Sequence, residues 1–189
     1  MPHFSRLCAA AQGFSLLELM VTIAIAATLL AIGVPSFQTT INSNRLTGVT
    51  NELIGGLGQA RSEAVRLNAR VSLCASSNGA SCAATGDWRG WIVFTNPDND
   101  AVVDGGETIL RTGLVPDSLA VRGNATVGGN LISFSGDGLP HAGNAAAPMV
   151  GGSISVCMAT RQPKENTRII TVTPAGVRSS RVDNNGACP

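Results

Sequence analysis

Four sets of side chains in this 189-residue chain are of types and spacings that could do chemistry. The first is a run of carboxylates, Asp98, Asp100, Asp104 and Glu107, in a loop from Asn96 to Glu107. Hard oxygen ligands at alternating positions suit Ca²⁺, but an EF-hand needs another ligand and then glycine where this chain has Val102 and Val103. A solvated hairpin turn is the better expectation, and no metal or other cofactor is assigned. The second is serine with histidine. Serines are plentiful, but no base is placed beside one, and His141, in a Pro/Gly/Ala-rich loop, is expected to be exposed; no catalytic residues are assigned and the chain is not expected to be an enzyme. The third is five cysteines with no Cys-x-x-Cys pair, which supports neither zinc binding nor thiol redox chemistry. The fourth is a single carboxylate, Glu18, inside an apolar run from Phe14 to Val34 that holds no other charge.

That run can span a membrane, since 21 helical residues rise about 31 Å, roughly the hydrocarbon thickness of a bilayer. A carboxylate well inside hydrocarbon costs about 2.5 to 3.5 kcal/mol on insertion scales, so Glu18 calls for a partner or a solvated position near the interface. The short polar leader, Met1 to Gly13, carries Arg6 and ends in glycine directly before the apolar run. A conventional secretory signal puts its apolar region ahead of the cut, whereas a cut after Gly13 would leave the apolar helix on the mature protein. Positive charge ahead of the span favours a cytoplasmic N-terminus.

Gly13-Phe14-Ser15-Leu16-Leu17-Glu18, followed by about twenty apolar residues and Pro35, resembles the class III signal of type IV pilins and type II secretion pseudopilins. The resemblance implies that a prepilin peptidase cuts after Gly13 and N-methylates Phe14. It also implies that Glu18, fifth in the mature chain, pairs with the terminal amine of a neighbouring subunit during assembly. Asp87-Trp88-Arg89-Gly90-Trp91-Ile92-Val93-Phe94 and Glu107-Thr108-Ile109-Leu110-Arg111 are similar to segments of the FimT/GspH-like branch of minor pilins, so the resemblance covers most of Phe14 to Arg111.

Assigning Cys8 to the leader leaves Cys74, Cys82, Cys157 and Cys188, an even set suited to disulfides in an oxidising compartment. Three connectivities are open. Cys74 with Cys82, closing a small loop, and Cys157 with Cys188, tying down the C-terminus, are favoured. Loss of Arg6 leaves 12 basic against 12 acidic side chains, which does not advertise a nucleic-acid binder. From Arg111 onward, however, seven basic residues face four acidic ones, so that end is mildly basic.

The elements follow from periodicity. After Pro35, which would kink the helix rather than necessarily end it, Ile41, Leu46, Val49, Leu53, Leu57, Ala60, Ala64 and Leu67 recur at mostly three- and four-residue steps and predict an amphipathic helix to about Asn68. Gly55, Gly56 and Gly58 weaken it and mark either a flexible point or a close approach of the sheet. Beyond Arg70, short apolar runs between turn residues predict strands at 71–75, 91–95, 108–114, 131–135, 153–158 and 168–173. The expected architecture is α+β and pilin-like. It comprises a cleaved leader (1–13), a membrane-spanning assembly helix (14–35), its amphipathic continuation (36–70) and a β-rich periplasmic domain (71–189).

The implied function is a structural minor pilin or pseudopilin of the inner membrane, incorporated into a pilus or pseudopilus at its tip or priming complex. Its implied partners are other pilin subunits and the prepilin peptidase. The alternative is DNA uptake in natural transformation. Some FimT-like members bind DNA through a Gly-Arg-x-Arg motif, and the matching place here reads Gly176-Val177-Arg178-Ser179-Ser180-Arg181, a partial match. Arg178 and Arg181 are three apart and point to opposite faces of an extended strand unless a turn or bulge intervenes. Arg161, Lys164 and Arg168 are the further candidates for phosphate contacts.

Overall fold

The computed structural model describes residues 13–83, 88–100, 102–127 and 130–188. The leader up to Gln12, with Arg6 and Cys8, lies outside the described residues, as do Asp87 and Ala101. The chain divides into two units, Met1–Gln38 and Thr39–Pro189. One helix, α1 (Leu16–Leu67), contributes to both.

In the first unit every described residue is exposed, and the exposed set includes Leu17, Ile23, Leu29, Ile32 and Phe37. Apolar side chains on all sides of a helix suit a non-aqueous surrounding. The few polar groups look after themselves: the Thr22 hydroxyl donates to Leu19 O at 2.9 Å and that of Thr28 to Ile25 O at 2.8 Å. Satisfying such groups internally is what hydrocarbon demands. Pro35 sits within α1, which continues past it.

In the second unit the same helix becomes one-sided. Leu46, Val49, Leu53, Leu57, Ala60 and Ala64 form a buried stripe, while Glu52, Arg66 and Leu67 are exposed. The helix stops by a C-terminal hydrogen-bonding reversal: Asn68 adopts φ 48°, its N–H bonds Val65 O, and Ala69 N–H bonds Ala64 O. Asparagine tolerates the left-handed conformation that this motif requires.

Among the described residues nine antiparallel strands follow: β1 (Val71–Ser76), β2 (Gly90–Thr95), β3 (Ile109–Leu114), β4 (Ala120–Gly123), β5 (Leu131–Phe134), β6 (Pro140–Ala142), β7 (Gly152–Cys157), β8 (Thr167–Thr173) and β9 (Gly176–Val182). They form two sheets, ordered β3-β2-β1-β5-β6 and β4-β7-β8-β9. The six runs read from the sequence are all strands to within a residue or two. β4, β6 and β9 are additions: β4 and β6 are too short to show a period, and β9 carries Arg178-Ser179-Ser180-Arg181 in its middle because it is an edge strand with little to bury.

Val71, Leu73, Trp91, Val93, Ile132 and Phe134 of the first sheet share one core with Val121, Ile154, Val156, Ile170 and Val172 of the second and with the α1 stripe. Trp91 sets the spacing. A Cβ on Gly56 would fall 2.7 Å from its ring, and one on Gly113 2.3 Å, so helix and strand both present bare backbone to the indole. Gly56 therefore marks a close approach of the sheet. The guanidinium of Arg111 caps the same ring, 5.5 Å from its centroid. On the opposite face of the first sheet Cys74, Ile92, Phe94 and Leu131 make a smaller cluster that Cys82, Val103 and Ile109 help to cover.

Candidate anchoring and assembly site

Glu18 lies in the first turn of α1 and is exposed. The residues before it explain its place there. Ser15 precedes the first helical residue, its Oγ accepts from Glu18 N–H at 3.2 Å, and its carbonyl accepts from Leu19 N–H at 3.1 Å. Ser15-Leu16-Leu17-Glu18 is thus the Ser-x-x-Glu signature of a capped helix start, a local signal that periodicity alone passes over. The cap sets the start of the apolar helix two residues after Phe14. It also holds the carboxylate at the positive end of the helix dipole, where negative charge is favoured. Gly13 and Phe14 precede the helix and are exposed.

The basic residues singled out for phosphate contacts do not form one surface. β9 pairs with β8 in an unbroken register, Thr171 opposite Arg178 and Arg168 opposite Arg181, with no bulge to turn one arginine toward the other. Arg178 and Arg181 consequently point to opposite faces of the strand. Arg168 is a correction to the sequence reading: it is 4% exposed and directed inward. Its guanidinium donates to Glu165 O at 2.7 Å and Thr167 O at 3.3 Å, and reaches Ser43 Oγ on α1 at 3.4 Å. Burial and then the nearby Arg181 charge lower its pKa. Arg161 and Lys164 are exposed and line one open cleft with Asp183, Asn185 and Gly186.

The acidic loop joins β2 to β3 and is built on internal hydrogen bonds. Buried Asn96 receives Asp100 N–H at 3.1 Å and donates to Ser72 Oγ at 2.8 Å, and Asn99 Oδ1 receives the Arg70 guanidinium at 2.7 Å. The carboxylates of Asp98, Asp100 and Asp104 lie within 4.8 Å of one another. Burial is the main cause that raises the pKa of Glu107, and the charges of Asp98, Asp104 and Asp100 add to it.

The cysteines take the favoured connectivity, Cys74 with Cys82 and Cys157 with Cys188. His141 is the second correction. It is 4% exposed, not solvated, because β6 places it in the first sheet. Its Nε2 lies 2.9 Å from Ser135 Oγ, and its Nδ1 faces the carbonyls of Ala145 and Ala147 at 3.1 Å. Asp137 accepts from the Ser135 hydroxyl rather than from the imidazole. With its second nitrogen turned to carbonyls, the imidazole is a structural group and not the middle member of a hydrolytic triad.

The type IV minor pilin FimU of Pseudomonas aeruginosa, known in two crystal forms, is similar at 20% and 21% identity. The two comparisons have TM-scores of 0.47 and 0.49 and cover 74% and 76% of this chain and 94% and 92% of those chains. The minor pseudopilin EpsH of the Vibrio cholerae type 2 secretion system is similar at 8% identity and TM-score 0.48, covering 74% of this chain and 97% of that one. Among curated proteins none matches. The prokaryotic N-terminal methylation motif matches residues 8–34, which hold Gly13, Phe14 and Glu18. The type II transport protein GspH family matches residues 49–176, more than half of the chain, a span that holds strands β1 to β8. This chain, with its methylation motif, apolar helix and two antiparallel sheets, belongs to the type II transport protein GspH family.

Proposed function

We propose that the chain is a single-pass subunit of the bacterial inner membrane that a prepilin peptidase matures by cutting after Gly13 and methylating Phe14. Its β-rich unit then faces the periplasm, where both disulfides form, and it enters a pilus or pseudopilus with other pilin subunits. The role is structural, without catalysis. The observation that carries this reading is the capped carboxylate, Glu18, the third residue of a helix that begins three residues after Gly13. Once Phe14 is the first residue, its ammonium stands one turn from Glu18, and in a staggered bundle the two charges can meet between chains.

Mass spectrometry of the mature N-terminus tests the maturation step. A methylated Phe14 is the expected terminus, and a cut at any other bond overturns it. Assembly is tested by two substitutions that separate the roles open to Glu18. Glu18→Gln keeps a residue suited to the capping box but removes the charge, whereas Glu18→Ala removes both. Charge pairing predicts that both variants insert and are processed but fail to join filaments. Normal incorporation of Glu18→Gln would leave capping as the whole role.

DNA uptake is not favoured by the arginine geometry, with Arg178 and Arg181 on opposite strand faces and Arg168 buried.

A further inference from the structure

The β-rich unit carries opposite charge at its two ends. Asn42 and Ser43, near the start of its share of the helix, hold the β7–β8 connection: Asn42 Nδ2 donates to Gln162 O at 2.8 Å, and the Arg168 guanidinium reaches Ser43 Oγ at 3.4 Å. That connection carries Arg161 and Lys164, both exposed, on a cleft of about 380 Å³ that Asp183 also lines. Arg181 is exposed two residues before Asp183, and Arg45 is exposed two residues after Ser43. Against these cations stand only Glu165 and Asp183, and Lys164 reaches Asp183 at 3.9 Å, with its own side chain 84% exposed. Arg45, Arg161 and Arg181 form no ion pair among the described residues. The other end is anionic. The β2–β3 loop is fastened just past the end of the helix by Arg70, whose guanidinium donates to Asn99 Oδ1 at 2.7 Å. Its Asp98, Asp100 and Asp104 carboxylates lie within 4.8 Å of one another, and none forms an ion pair among the described residues. From Ser43 to Leu67 the helix rises about 36 Å, so within one molecule the two ends are far apart.

We propose that the cationic end of one copy receives the acidic loop of a second copy, head to tail. Charge complementarity selects this occupant. Carboxylates crowded together repel one another, and the cations of the other end relieve that repulsion when two copies meet. Guanidinium groups suit carboxylates in particular, because their donors match the two oxygens. The two surfaces differ and lie at opposite ends, so the contact is heterologous: each copy keeps one surface free, and a line of subunits extends unless the rotation closes a ring. Exposed ion pairs are weak one at a time, so the contact needs the several charges that each end supplies and reinforces an assembly that other surfaces also hold. Its use in a filament rests on the subunit reading above.

Lys164 is the only lysine of the chain, which makes the contact directly readable. The full chain in detergent micelles, an equal mixture of isotope-labelled and unlabelled protein, is treated with a zero-length carbodiimide that joins an amine to a carboxylate in contact with it. Mass spectrometry is expected to find Lys164 linked to Asp98, Asp100 or Asp104 in peptides that pair a labelled with an unlabelled copy. The link from Lys164 to Asp183 within one copy shows that the reagent has acted. The yield between copies should fall steeply as salt rises. In Arg161→Glu/Arg181→Glu, which keeps Lys164, it should fall at least about fivefold, because like charges then face the loop. Mixing that variant with Asp98→Arg/Asp104→Arg should restore the link, now to Asp100, with tryptophan emission checking that both variants are folded. No link between Lys164 and the loop, or a yield indifferent to salt and to the charge reversal, overturns the proposal. A loop that gives no link between copies and instead binds Ca²⁺ overturns it in favour of a metal. Absence of the chain from purified filaments and pseudopili fails the subunit reading instead, and the crosslinks still decide the contact.

Discussion

The two halves of α1 put the same kinds of residue to opposite uses. Before Gln38, leucines, isoleucines and valines surround the helix and all are exposed; after Thr39 they narrow to a stripe in which Leu46, Val49, Leu53 and Leu57 are buried and Ile41 and Ile54 half-buried. The second half meets its partners, Trp91, Leu73 and the two sheets, within its own chain. The first half is exposed along its whole described length, and an apolar surface of that extent marks an interaction site. The two halves are expected to fail separately: damage to the β-rich core should leave membrane association intact, and damage to the apolar half should leave the β-rich core intact. Both tryptophans of the chain, Trp88 and Trp91, are buried in the β-rich unit, so tryptophan fluorescence reports on that unit alone.

The largest expected effect comes from opening the Cys157–Cys188 bridge, which spans 31 residues. Replacing both with serine should destabilise the β-rich unit by about 3.7 kcal/mol on loop entropy, against about 2.5 for the Cys74–Cys82 bridge, which spans 8. Denaturant unfolding followed by tryptophan fluorescence measures both. Carbonate-resistant membrane association should be unchanged in either variant, and its loss would break the proposed independence of the halves. The converse change is Ile23→Arg, which puts a second charge in the anchor at about 2.5 to 3.5 kcal/mol. Insertion should fall while the fluorescence midpoint stays put.

Much of this contrast could be read from the residues. The stripe from Leu46 to Ala64 shows its period plainly, and all six β-runs with enough apolar residues to show themselves are strands. What stayed hidden depended on contacts distant in sequence. His141 looks like a loop residue because Pro140, Gly138 and Gly143 surround it, yet pairing of β6 with β5 buries it. Arg168 reads as a surface cation, but its place on the inward face of β8 sends it to Ser43, 125 residues away. The helix cap at Ser15 is different: Ser-x-x-Glu is a local signal, carried by four consecutive residues and independent of any distant contact.

A smaller effect tests the joint between helix and sheet. Gly56→Ala puts a methyl carbon 2.7 Å from Trp91 and 3.1 Å from Leu73. The ring is fully buried and cannot swing away, so a cost of about 1 to 3 kcal/mol is expected despite alanine's better helix propensity. Gly58→Ala has open space around it and should gain by that propensity instead. Equal effects at the two sites would mean that the glycines serve flexibility rather than close packing.

The smallest effect separates the halves by pH. Glu107 has its pKa raised above 4.5 by burial and by its acidic neighbours, so the folded β-rich unit holds this proton more tightly than the unfolded chain does. Stability linked to it is therefore greatest below about pH 4.5 and declines as pH climbs through the raised value. Glu107→Gln, which cannot ionise, should remove that decline and raise the thermal midpoint slightly at neutral pH while changing little in acid. The pH profile of membrane retention should be the same with and without Glu107. A parallel shift in retention and midpoint would show that the acidic loop and the anchor are coupled, against the independence inferred from the two halves of the helix.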